Sequence, residues 1–127
     1  MAEDEIIYKD ECYAIIGACF ELHNELGSGF AEPIYQEALE VELKLQGIPF
    51  RSQDELEVHY KGHLLDAKYK PDFICYEKII VEIKSLNDIA DRHRSQVHNY
   101  LKITGFRLGI LVNFSAYPRL QYERIVH

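Results

Sequence analysis

The stretch Lys70-Pro71-Asp72-Phe73-Ile74-Cys75-Tyr76-Glu77-Lys78-Ile79-Ile80-Val81-Glu82-Ile83-Lys84-Ser85 decides how this chain is read. Its apolar runs at Phe73–Cys75 and Ile79–Ile83 predict two strands joined at Tyr76-Glu77-Lys78. Side chains of a strand alternate between faces, so Ile79, Val81 and Ile83 point one way and Ile80, Glu82 and Lys84 the other. Burying the first set leaves Glu82 and Lys84 together on the opposite face. With a three-residue loop at Tyr76–Lys78, Cys75 pairs with Ile79 and Asp72 falls opposite Glu82, with Cβ atoms roughly 5 Å apart. A two-residue loop would shift that register, and the turn lacks a glycine to decide between them.

Two carboxylates held so close repel one another, and each costs several kcal/mol if buried without compensation. Lys84 supplies part of the missing positive charge. Two hard oxygen donors at this separation also suit Mg²⁺ or Mn²⁺. An ion there would polarise a phosphoryl oxygen and acidify a bound water, while Lys84 orients that water or neutralises charge on the phosphate. The plainer reading is a surface salt bridge between Lys84 and one of the acids.

Outward from this core, residues 6–26 read as a helix on Ile15, Cys19, Leu22 and Leu26, ended by Gly27. Gly27-Ser28-Gly29 is a tight connection to a second helix, Glu32 to Gln46, with Pro33 in its first turn and Gly47 closing it. Ile34, Tyr35, Ala38, Leu39 and Leu45 are its expected apolar face. Leu56–Tyr60 and His63–Ala67 alternate as a hairpin around Lys61-Gly62. Downstream, Asp88–Thr104 reads as a helix with Val97, Leu101 and Ile103 as candidates for burial. Arg107–Asn113, carrying Leu108, Ile110, Leu111 and Val112, is a nearly continuous apolar run and so predicts a buried strand. Leu120–Val126 adds an edge strand. The order α-α-β-β-β-β-α-β-β implies one α+β domain over residues 1–127, built around one mixed sheet flanked by helices.

The 127 residues are 47% hydrophobic and 28% charged, enough for a core and too apolar for disorder. No apolar run spans a membrane, and Ala2-Glu3-Asp4-Glu5 has the wrong charge for a signal peptide, so a cytoplasmic protein is expected. The net charge of −7 hides an asymmetry: residues 1–57 carry 14 acidic and 3 basic side chains, residues 58–127 carry 7 acidic and 11 basic. One face meeting phosphates would produce this, but so would helices with acidic outer faces. Arg92, His93, Arg94, His98 and Lys102, with Lys68, Lys70 and Lys84, make a candidate phosphate-tracking surface, diluted by Asp88 and Asp91. Cys12, Cys19 and Cys75 form no metal or disulfide pattern and read as small buried residues. Six histidines without zinc spacing argue against that metal, and a cysteine nucleophile is equally poorly supported.

Three strings in order carry a family resemblance over roughly residues 10–127. Pro71-Asp72 with Glu82-Ile83-Lys84 resembles the signature of the PD-(D/E)XK nuclease superfamily. Gly29-Phe30-Ala31-Glu32-Pro33-Ile34-Tyr35 is similar to the G-x-x-E-x-x-Y string of the GxxExxY family within it. Gln96-Val97-His98-Asn99-Tyr100 resembles the Q-x-x-x-Y motif of RecB-like members. The resemblance implies a restriction-endonuclease-like core. It implies Asp72, Glu82, Glu32 and the Ile83 carbonyl as metal ligands, and Lys84 as the catalytic lysine. Glu32 also has a simpler reading, a carboxylate stabilised by the helix dipole. Gln96 and Tyr100 share a helix face and would hold a phosphate oxygen or brace Lys84 and the metal ligands. Tyr35 either aims its hydroxyl at the site or only packs in the core.

The expected activity is metal-dependent hydrolysis of phosphodiester bonds, in DNA more than RNA. Its rival is a non-enzymatic module that keeps the fold to bind nucleic acid or protein. At this length nearly every residue is used by the core, so specificity is expected from a homodimer or a protein partner.

Overall fold

The computed structural model describes residues 6–127; the acidic Ala2–Glu5 stretch lies outside the described residues. Two helices come first, α1 (Lys9–Leu26) and α2 (Glu32–Leu45). Strands β1 (Phe50–Ser52), β2 (Leu56–Tyr60), β3 (His63–Tyr69), β4 (Phe73–Cys75) and β5 (Ile79–Lys84) follow. Then come α3 (Asp91–Thr104), β6 (Leu108–Asn113) and β7 (Gln121–Val126). The main sheet is mixed, in the order β1-β4-β5-β6-β7, with β5 and β6 parallel and the other neighbours antiparallel. A parallel pair needs a crossover connection, which α3 supplies.

The helices cover this sheet on both faces, so its strands alternate between two cores. Ile79, Val81 and Ile83 pack with Phe73, Ile110 and Val112 against Ile15, Cys19, Tyr35 and Leu39 of α1 and α2. Ile80 and Leu111 point the other way, into a second core with Val97 and Leu101 of α3 and with Tyr69. Burying each large aliphatic side chain here contributes about 1.5–3 kcal/mol. Strand β6 is buried along its whole length, as its continuous apolar run predicts. Gly109 on β6 makes room for α3: a Cβ there would stand 2.8 Å from Cγ1 of Val97.

Several boundaries and faces differ from the sequence reading. The hairpin β2–β3 forms its own two-stranded sheet instead of joining the mixed one. Strand β1, unread in the sequence, adds to the main sheet through β4. Helix α3 starts at Asp91 and not Asp88, because Asn113 ties the preceding loop through Leu86 and Asp88 Oδ1 accepts from the Ile89 N–H. On α2 the buried stripe is Tyr35, Leu39 and Leu43, spaced by four. Ile34 and Leu45 lie off that stripe and are 46% and 75% exposed. Ile103 is likewise exposed, while Val97 and Leu101 are buried as expected. All three cysteines are buried and free. No helix among the described residues is long and apolar enough to cross a membrane.

Candidate active site

The β4–β5 turn sets the register that brings the acids together. Tyr76 and Glu77 take φ of 55° and 59°, so a three-residue loop closes without glycine, and Cys75 pairs with Ile79. The paired residues continue through Ile74–Ile80 to Phe73–Val81, which directs the next residues, Asp72 and Glu82, toward each other. Asp72 Oδ2 accepts a hydrogen bond from the Ile83 N–H at 2.9 Å. The Asp72 carbonyl accepts from the Gln53 N–H at 3.1 Å and from Gln36 Nε2 at 3.4 Å, fixing the backbone from two further elements.

Glu82 extends from the opposite face of β5 and receives a hydrogen bond from the Tyr69 hydroxyl. Burial, and then the charge of Asp72, raise its pKa well above the carboxylate range, while the Tyr69 hydrogen bond and Lys84 pull it down. Burial and the neighbouring Asp72 therefore both favour the protonated form of Glu82 when no cation is bound. Lys84 is half-buried at the end of the same strand, and among the described residues no carboxylate ion-pairs with it.

Glu32 opens α2 and lines a cleft of about 300 Å³ with Gln36, Asp72 and Ile83. Its pKa is raised by burial and by Asp72 and lowered by Lys84, so it senses the same charges as the pair. Glu32 stands in the first turn of α2, after the cap residue Ala31, where the helix dipole stabilises a carboxylate, so the simpler reading of this residue also holds. Tyr35 does not aim at the acids. Its hydroxyl donates to the Gly27 carbonyl at 2.6 Å and accepts from the Phe30 N–H, while its ring stacks on Phe114. It thus pins the turn before α2. Gly29, at φ +101°, donates its N–H to Ser115, and Ser85 bonds both Ser115 and the Phe30 carbonyl. The G-x-x-E-x-x-Y string is a clamp that sets where Glu32 stands.

Helix α3 brings one of its two candidate residues to Tyr69, the hydrogen-bond partner of Glu82. Tyr100 stacks on Tyr69, with centroids 3.6 Å apart and planes at 11°. Gln96 is exposed on the helix surface. The basic surface is smaller than its residue list. Arg94 is held by three hydrogen bonds to Glu123 and one to Asp91, and buried His93 uses Nδ1 to accept the Ala90 N–H at the start of α3. Arg92, His98 and Lys102 stay exposed. Burial pushes the Cys75 thiol up to about 12, which disqualifies it as a nucleophile at neutral pH.

Sequence reasoning missed Tyr69. It is one of nine tyrosines, and only its place just before Lys70-Pro71-Asp72 hinted at the site.

A sequence profile of the PD-(D/E)XK nuclease superfamily matches residues 9–125, nearly the whole chain. The chain belongs to the PD-(D/E)XK nuclease superfamily. The mixed sheet flanked by helices agrees with the restriction-endonuclease-like fold of this superfamily. A solved structure titled "Crystal structure of SSO0001" is similar, with a TM-score of 0.59 and 25% sequence identity. The match covers 75% of this chain and 49% of that one, so this PD-(D/E)XK chain accounts for about half of that protein. No functionally curated protein matches the chain.

The donor set of this PD-(D/E)XK site fits a divalent cation. Asp72 and Glu82 offer hard carboxylate oxygens close together, the donor type a divalent cation prefers. Glu32 shares the cleft but does not complete a cluster: among the described residues no three His, Cys, Asp or Glu side chains are grouped to hold an ion.

Proposed function

We propose that this chain is a metal-dependent nuclease that hydrolyses phosphodiester bonds, with DNA as its substrate. The observation that carries the reading is the Asp72–Glu82 pair, with Lys84 two residues along the same strand face. Asp72 and Glu82 would hold Mg²⁺ or Mn²⁺, with the Ile83 carbonyl and Glu32 as further oxygen donors. Such an ion supplies Lewis acidity toward a phosphoryl oxygen and lowers the pKa of a bound water.

The chain's own residues do the positioning. The Ile83 N–H fixes the Asp72 carboxylate, so it reorganises little when a phosphate arrives. Lys84, without a carboxylate partner, is free to neutralise charge building on the scissile phosphate. Glu32 faces the cleft a substrate would enter and is suited to orient the attacking water. Exposed Gln96 and the cations of α3 offer contacts to flanking phosphates. The preference for DNA rests on the RecB-like Q-x-x-x-Y string alone. Selectivity beyond that would come from a second copy or a protein partner.

A cleavage assay with Mg²⁺ and Mn²⁺ tests the reading. It offers single-stranded, duplex and branched DNA and RNA to the wild type and to Asp72→Ala protein. Metal-dependent cutting by the wild type alone is the expected result. No cutting by either would favour a binding module that keeps the fold. Equal cutting by both would expose a contaminant.

A further inference from the structure

Between α3 and the acidic pair stands a residue that belongs to neither motif. Tyr69 is the last residue of β3 and pairs across the hairpin with Leu56, outside the five-stranded sheet. It is only 5% exposed, yet its hydroxyl reaches Glu82 Oε1. Its ring is held by Tyr100, stacked at 3.6 Å, and by the apolar core formed by Ile80, Val97 and Leu111. The hairpin, α3 and β5 thus meet at one side chain.

We infer that Tyr69 is a positioning residue for Glu82, and that Tyr100 acts on the acidic pair only by holding the Tyr69 ring. The inference rests on the metal-site reading above. A glutamate has three side-chain torsions, and a free Glu82 would spread over several rotamers beside the like charge of Asp72. A phenol donating to one oxygen fixes the carboxylate plane and leaves the second oxygen for a cation. Partners of this kind typically change metal affinity by about 10- to 100-fold when removed. Two aromatic rings stacked in a core are stiff, so the hydroxyl is held in place before any ligand binds. The Q-x-x-x-Y tyrosine then needs no hydroxyl of its own for this task, since the stack uses its ring. Its own hydroxyl makes no hydrogen bond to a described side chain, whereas the hydroxyl of Tyr69 is bonded to Glu82.

Mn²⁺ binding by calorimetry, without substrate, separates ring from hydroxyl. Tyr69→Phe keeps the ring and should weaken Mn²⁺ binding about 10-fold or more, with an unchanged circular-dichroism spectrum. Tyr100→Phe should bind as wild type. Tyr100→Ala should weaken binding toward the Tyr69→Phe level, and the two changes combined should add little further loss. Tyr69→Phe protein that binds Mn²⁺ as well as or better than wild type overturns the inference and leaves the metal reading intact. Tyr100→Phe protein that binds as poorly as Tyr100→Ala overturns the claim that only the ring of Tyr100 matters. Wild-type protein that takes up no Mn²⁺ sinks the metal reading itself, and this inference with it.

Discussion

Asp72 and Ile83 are joined by a hydrogen bond from the backbone of β5 to the side chain that stands just before β4, at 2.9 Å. The β4–β5 pairing has ended at Phe73–Val81, so this bond stands where a ladder bond would otherwise be missing. In a strand the N–H and C=O of one residue point to the same side. The Ile83 carbonyl therefore faces the same side of β5 as its N–H, toward Asp72.

Asp72→Ala removes the acceptor and leaves the Ile83 N–H unpaired, which should destabilise the metal-free protein by about 1–3 kcal/mol. Asp72→Asn keeps an acceptor oxygen and removes the charge beside Glu82, so in EDTA it should be at least as stable as wild type while losing cleavage. Urea unfolding in EDTA reads the difference. Equal destabilisation by both would deny the latch its role.

Glu82 gives the pH dependence its sign. Its folded pKa is raised above the ordinary 4.5 by burial and by Asp72. Its contribution to stability is thus fully present below pH 4.5 and lost as pH rises through the folded value. In EDTA, Glu82→Gln protein should be more stable than wild type at neutral pH, and the gap should close on acidification toward 4.5. Mg²⁺ binds the ionised form, so its stabilisation of the wild type should grow over the same window. Melting temperatures across this range, with and without Mg²⁺, decide it; a gap independent of pH would contradict the assignment.

Lys84→Ala should cut cleavage by about 100-fold or more, the loss expected when a charge aimed at the transition state is removed. Folding and Mn²⁺ affinity at mildly alkaline pH should change little. Undiminished cleavage would remove Lys84 from the mechanism.

Gly109→Ala tests how α3 is seated. The new Cβ would sit 2.8 Å from Cγ1 of Val97, too close to be tolerated without movement of the helix or its side chain. A loss of about 1–3 kcal/mol is expected from overpacking. A variant as stable as wild type would show that Val97 turns aside freely.

The chain's own pattern made β4, β5 and β6 legible, because apolar runs and alternation are local properties. The Cys75–Ile79 register followed from the loop length, and the structure supplies what the turn residues did not advertise: positive φ at Tyr76 and Glu77 without glycine. Strand β1 was not legible, since Phe50–Ser52 is three residues long and exists by pairing with β4. Alternation in β2 and β3 revealed a hairpin but not which sheet it joins, for pairing partners are set by tertiary packing. Tyr35 was half-read: its burial follows from helical spacing, whereas its hydroxyl's choice of the Gly27 carbonyl depends on a turn geometry no spacing encodes. Tyr69 escaped because its partners, Glu82 and Tyr100, lie 13 and 31 positions away.

The clamp built by Tyr35, Gly29 and Ser115 gives Glu32 a different carrier from the other acids. Glu32 rides on the helical hairpin, whereas Glu82 and Lys84 ride on β5 and Asp72 stands just before β4, and the chain passes from helices to strands at Gly47-Ile48-Pro49. A backbone cut in that connection would yield two pieces, each holding an incomplete share of the charges at the cleft. Because Tyr35, Leu39 and Leu43 are fully buried beneath the sheet, the pieces have a large apolar reason to reassemble. The lining of the cleft likewise comes from both pieces, Glu32, Pro33 and Gln36 from the helices and Gln53, Asp72 and Ile83 from the remainder, so a cut chain would form the cleft only on reassembly.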